Sequence, residues 1–197
     1  HDALFRTFER FRRPISRRLG QLNPNSSGEN DGFADGYGRT AQDVVVNAFL
    51  AAYRGKDAAD IKLDGFPKIP FPNWNVTYNG LSKIPLFTEF ITSITLHHGY
   101  NTRYSVNGYN SLIRYGETHG FPSERDVNEN FLPKFQFQQI SIFEQFTPLL
   151  GFDARFKNNV TANAEYRRAR TLNLSLQNSQ LAMLSDQSFV FGAGYRA

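Results

Sequence analysis

GFDARFKNNVTANAEYRRARTLNLSLQ, residues 151–177, decides the fold class. Phe152, Ala154 and Phe156 alternate with Asp153 and Arg155. Asn158-Asn159 then makes a tight turn, because Asn tolerates left-handed backbone geometry. Beyond it Val160, Ala162, Ala164 and Tyr166 alternate with Thr161, Asn163, Glu165 and Arg167. Leu172, Leu174 and Leu176 do the same against Thr171, Asn173, Ser175 and Gln177. A period of two with one apolar and one polar side is the mark of a half-buried strand. The reading here is two strands after the turn, one over 160–166 and one over 172–176.

The pattern extends in both directions. Phe90, Thr92, Ile94, Leu96, His98, Tyr100, Thr102, Tyr104 and Val106 share one parity, which predicts a strand of up to 17 residues. Trp74, Val76 and Tyr78 alternate with Asn75 and Thr77. Ile140, Ile142, Glu144 and Phe146 precede Pro148, and Phe189, Phe191, Ala193 and Tyr195 end the chain's pattern. Residues 116–134 read as a polar loop with Pro122 and Pro133. The count is about seven or eight strands joined as hairpins, with no crossover helix between the later ones, and hence an antiparallel sheet.

Helix signals are confined to the first third. Val45, Phe49, Ala52 and Tyr53 fall on one face of a helix over about 40–54. Thr40 is its expected cap, Asp43 the reciprocal capping partner and Gly55 its terminator. Residues 1–20 hold six arginines against two acids, which is the whole net charge of +4. Leu4, Phe5, Phe8 and Phe11 have helical spacing there until Pro14, where an interruption is expected. This arm reads either as a basic amphipathic segment for an anionic surface or as an Arg-rich edge packed within a larger protein. The remainder is neutral, so the pI near 9.4 describes the arm, and nucleic acid is not expected as a partner. The division that follows is 1–66 for the Arg-rich arm, polar loop and helix, and 67–197 for the strands. Pro67, Pro70 and Pro72 lead into the latter as extended chain.

Chemistry is sparse. His97-His98 are adjacent and on a strand face opposite sides, so they cannot share a metal. Glu117, Glu124, Asp126 and Glu129 cluster in a loop without the spacing of a calcium site. Residues 21–38, ending GFADGYG, lack the Lys-Ser/Thr of a phosphate loop. No cysteine is present. The expectation is a chain with no catalytic residue, no metal site and no cofactor.

Alternation alone fits both a soluble sandwich and a transmembrane barrel. The face chemistry favours the barrel. Asp153, Arg155, Asn163, Glu165, Arg167, Asn173 and Ser175 suit a wet lumen. Val160, Ala162, Ala164, Tyr166, Leu172, Leu174 and Leu176 suit lipid. Tyr166, Phe156 and Tyr195 are placed as an aromatic girdle at strand ends. The soluble alternative is a β-rich surface binding module, with exposed Tyr and Trp for carbohydrate.

Several separate blocks resemble the SprA/Sov family, the outer-membrane translocon of the Bacteroidetes type IX secretion system, which also serves gliding motility. They are GYGRTAQDVVVNAFLAAYRGKD (36–57), FPNWNVTYNGLSKIPLF (71–87), FITSITLHHGYNTRYSVNGY (90–109), and the stretch from ISIFEQF (140–146) to FVFGAGYR (189–196). The resemblance implies antiparallel strands of a very large single-chain barrel of about 36 strands. It implies a bacterial outer-membrane location and passage of folded cargo. The partners implied are the rest of the same translocon chain, the PorV shuttle barrel, a plug protein, a periplasmic prolyl isomerase-like subunit, secreted cargo and outer-membrane lipid. The start at His1-Asp2 without Met, and the family's further strands beyond the GYR segment, imply a late portion of a long protein.

Overall fold

A computed structural model describes residues 2–63 and 72–196. The boundary expected at 66/67, and the extended reading of Pro67 and Pro70, lie outside the described residues. Strands account for 46% of the described residues and the sheets are antiparallel, so the antiparallel β-rich expectation holds, while two long helices stand where one short helix over about 40–54 was expected. Contacts divide the chain into two units. One comprises the described residues up to 63, Val106–Ile140 and Leu174–Leu181; the other comprises 72–105, Ser141–Asn173 and 182–196.

The first unit is built on two packed helices, α1 (Asp2–Leu22) and α2 (Gln42–Arg54). Phe8, Phe11, Ile15 and Leu19 recur at intervals of three and four, and all four are buried. That face carries α1 straight through Pro14, where an interruption was expected. Proline removes one helical hydrogen bond at a cost of about 3 kcal/mol. Burial of side chains worth ~1.5–3 kcal/mol each on both sides of Pro14 offsets it.

The arginines of α1 turn onto their own chain. Buried Arg12 pairs with Glu9 and donates to the Arg39 carbonyl. Arg17 forms a two-pronged pair with Glu29 at 3.0 and 2.7 Å. Arg18 donates to the carbonyls of Ala58 and Ile61. The Arg-rich segment is thus a helix packed against residues 29–61, and neither a strand nor a loop edge.

α2 ends as expected, with Gly55 left-handed at φ 62° and Lys56 N–H donating to Ala51. Its start differs. Ala41 holds the cap position, and the Thr40 hydroxyl instead accepts from Asn130 at 3.2 Å. Gln42 mimics a strand, donating to Phe135 and accepting from Phe137 N–H. Long-range partners on both sides have replaced the local capping box. The GFADGYG stretch wraps α1 rather than opening a helix. Gly36, at φ 76°, lies so close to the Phe131 ring that an added Cβ would come within 2.1 Å of it.

The main sheet has five strands: β1 (Trp74–Tyr78), β2 (Ile91–Asn107), β3 (Gln139–Phe156), β4 (Val160–Ser175) and β5 (Gln180–Tyr195). Their order is β5-β4-β3-β2-β1, a meander of sequence neighbours that stays open. β2 has the 17 residues its parity predicted. Five long or edge strands replace the seven or eight expected, for two reasons. The segments 160–166 and 172–176 are one strand, β4, and Leu176 falls just past its end. Arg170 inside it pairs with Glu144 of β3, so the charged stretch between the apolar runs is ladder and not turn. β3 likewise continues through Pro148. Gly99 of β2 makes room there, since a Cβ on it would lie 2.7 Å from the Thr147 carbonyl oxygen.

A helical turn α3 (Pro85–Thr88) precedes β2. Residues 108–138 form the long β2–β3 connection, with two-residue ladders at Asn110–Ser111 with Phe135–Gln136 and at Glu117–Thr118 with Phe121–Pro122.

Candidate functional site

The sheet's second-unit portion carries two chemically opposed faces. Strand pairing places Trp74 opposite Tyr100, Val76 opposite His98 and Tyr78 opposite Leu96, so β1 and β2 share parity. Asn75 and Thr77 then lie with Gly99 and His97 on the other side.

The polar face is joined by side-chain bonds from strand to strand. His97 Nε2 lies 2.8 Å from Asp153, and its Nδ1 lies 3.4 Å from the Thr77 hydroxyl. Ser141 donates to Asn173 at 2.7 Å. Glu165 and Arg167, two apart on β4, pair at 2.8 Å. A shallow cleft of about 430 Å³ is lined by Ser93, Thr95, Asp153, Arg155, Thr161 and Asn163. Gly192 of β5 keeps it open, because a Cβ there would come within 2.1 Å of Asn163 Oδ1. Asp153, Arg155 and Asn163 therefore meet in one site. Glu165 and Arg167 form a separate pair, Asn173 joins β3 to β4, and Ser175 closes the strand.

Val160, Ala162, Ala164 and Tyr166 lie half-buried on the opposite parity. Tyr166 stacks on Phe189 with centroids 4.6 Å apart, and Phe189 on Phe191 at 6.4 Å. Tyr166 sits in mid-strand rather than at a strand end, because β4 runs on to Ser175. Leu172 and Leu174 differ from their expected partners. Both are fully buried within the chain, so they pack into its interior instead of facing outward. Leu176, half-buried past β4, donates its N–H to Gln138.

The sequence reading passed over a charged group on this apolar parity. Arg170 Nε donates to Glu144 Oε2 at 2.7 Å, and the Tyr100 hydroxyl donates to Glu144 Oε1 at 3.1 Å. The signal was present: uninterrupted alternation from Tyr166 to Leu172 puts Arg168 and Arg170 on one parity, with Glu144 on the matching parity of β3.

The first unit holds a cleft of about 270 Å³ beside the start of α2, lined by Gln42, Asp43, Val46, Tyr115, Phe135 and Phe137. Burial pushes the Asp43 carboxyl up to about 6. Asp35 is the opposite case: two bonds from Arg125, at 2.8 and 2.7 Å, pull it down to about 2. That guanidinium also stacks 4.8 Å over the Phe131 ring. Asp126, in the acidic loop, accepts from the backbone N–H groups of Asn128 and Asn130, a turn-closing role. Among the described residues no helix is long and apolar enough to cross a membrane. Neither a protein-family model nor a curated protein matches this chain.

Proposed function

We propose that the chain supplies strands to a very large outer-membrane β-barrel that conducts folded cargo in type IX secretion, as its resemblance to the SprA/Sov translocon implies. The observation that carries this reading is the two-faced sheet. Ser, Thr, Asn, Asp and Arg cover one side, while Phe189, Phe191 and Tyr195 on the other are left 66%, 76% and 71% exposed. A soluble sheet buries its apolar side; a barrel strand turns it to lipid and its polar side to a wet lumen.

Strand length supports the same reading, since 16 to 18 residues in β2–β5 exceed the about 9–11 that cross a membrane. Neighbouring strands of the same translocon would pair with the open edges of β1 and β5, because unpaired backbone is not tolerated in lipid. The mechanism involves no covalent step. The lumen passes cargo, and the shuttle barrel, the plug and the periplasmic subunit act at its openings.

The test is facing. Ala162→Arg, on the apolar side, abolishes assembly in outer-membrane vesicles, whereas Asn163→Arg, one residue on, is tolerated. Equal assembly of both variants overturns the assignment. A soluble carbohydrate-binding module is the second reading, favoured by the aromatic cleft at Trp74, Tyr100 and Phe146. A monodisperse, detergent-free monomer would decide for it.

A further inference from the structure

One patch of the apolar face departs from the rest. Trp74, Tyr100 and Phe146 form an aromatic row across β1, β2 and β3, with centroids 4.5 and 4.8 Å apart. His98 flanks it, 6.3 Å from Trp74 and 5.9 Å from Phe146. Beside the row, Arg170 neutralises Glu144. Arg168 is exposed, and among the described residues its side chain makes no hydrogen bond or ion pair. With Trp74, Tyr100, Phe146, Glu144 and Arg170 it lines a cleft of about 440 Å³. Two arginines against one carboxylate leave the patch with one positive charge.

Its position along the strands is informative. On β4 the outward parity runs Val160, Ala162, Ala164, Tyr166 and then Arg168. Nine residues, 159–167, separate the polar turn tip at Asn158 from Arg168, matching the about 9–11 of a membrane strand. On β2, Ile91 to Gly99 is again nine residues, and Tyr100 follows. On β5 the outward Phe189, Phe191, Ala193 and Tyr195 begin just after Gln187, which accepts from the Tyr166 hydroxyl at 3.2 Å. β4 and β2 thus change from apolar to polar or amphipathic chemistry nine residues from the sheet end marked by the Lys157–Phe90 bond, and on β5 the change falls at Gln187, beside Tyr166. Tyr and Trp with an unpaired arginine at such a level suit the interface, where an apolar ring meets hydrocarbon and a cation meets phosphate.

We infer that Trp74, Tyr100, Phe146 and Arg168 form a site for the phosphate headgroup of an anionic membrane lipid, at the level where the sheet leaves the hydrocarbon. The Lys157–Asn159 turn then sits at the opposite surface. This inference rests on the transmembrane reading proposed above. The aromatic row holds the glycerol and upper acyl region, and Arg168 takes the phosphate oxygens. Glu144, bound by Arg170 and Tyr100, is kept from repelling it.

The test uses the full-length protein in vesicles of phosphatidylethanolamine and phosphatidylglycerol. Emission from Trp74 is read as the difference between wild type and Trp74→Phe. Acyl chains brominated near the headgroup should quench it more than chains brominated near their ends. A reporter introduced by Ala162→Trp should show the reverse order. Arg168→Gln should weaken retention of phosphatidylglycerol about fivefold, and inorganic phosphate should not displace the lipid. Deeper quenching of Trp74 than of the Ala162→Trp reporter, unchanged retention in Arg168→Gln, or displacement by free phosphate overturns the headgroup site alone. Absence of quenching at both positions and both depths overturns the transmembrane reading with it.

Discussion

The two units use apolar residues in opposite ways. In the first, Ile15, Val44, Val45, Phe49 and Ala51 are wholly covered by their own chain, and the arginines around them are bound to carbonyls and carboxylates of the same unit. In the second, Trp74, Phe189, Phe191 and Tyr195 stand exposed in a sheet whose other face is polar and hydrogen-bonded. Composition does not separate these regions, since both are rich in Phe and Tyr. What separates them is whether the chain supplies the cover. The helical core of the first unit is covered by its own chain, whereas the β5 aromatics of the second are not.

That contrast breaks most visibly at two phenylalanines. Phe49→Ala empties a fully buried site and should cost about 3–5 kcal/mol, read as lost amide-exchange protection in α2. Phe191→Ala, at 76% exposure, should cost less than about 1 kcal/mol in the same measurement on β5. Comparable losses would mean that the sheet's apolar side is as internally supported as the helical core.

The half-buried, desolvated Asp43 carboxylate of the first unit sharpens the comparison through pH. Asp43 is raised from 3.8 to about 6 by desolvation, so folding favours its protonated form. The associated stability is full below 3.8 and is lost as pH rises to about 6. Asp43→Asn should abolish that slope and, above about pH 6, exceed wild type by on the order of 2 kcal/mol. Urea titrations of the two proteins across this window check it, and parallel curves would remove Asp43 as the cause.

The smallest effect concerns Asp35. Its carboxyl is held at about 2 by the hydrogen bonds from Arg125, so its contribution is present above 3.8 and fades as pH falls towards about 2. Arg125→Gln should cost about 1 kcal/mol at neutral pH and nothing at the acid end. A loss that persists in acid would assign the effect to stacking on Phe131 instead.

Local periodicity made the sheet legible. The shared parity from Phe90 to Val106 predicted β2 almost to the residue, and Asn158-Asn159 marked the β3–β4 turn because the conformational demand there is carried by the turn residues themselves. Asn159 adopts φ 63°. What escaped depends on partners distant in sequence. Pro14 is a breaker by propensity, but Phe11 and Ile15 bury on both sides of it. Thr40 is a good cap by type, yet Asn130 takes its hydroxyl and Gln42 spends its amide on residues 135–137. Arg168 and Arg170 interrupt an apolar pattern, and Glu144 on the adjacent strand makes Arg170 part of the ladder. The face assignments followed from alternation, but Leu172 and Leu174 did not, because alternation tells which side a residue is on and not what covers that side.

The bond from Phe137 N–H to the Gln42 side chain has a temporal consequence, for it joins residues 95 apart in sequence. Phe131 N–H to Gly36 and Gly38 N–H to Asn130 span similar gaps. A ribosome adding about 5–20 residues per second needs roughly 5–20 s to make the intervening chain. For that interval Gly36, Gly38 and Gln42 lack the partners that residues 130–137 supply. The start of α2 is thus made early and completed late, when residues 135–137 reach Gln42.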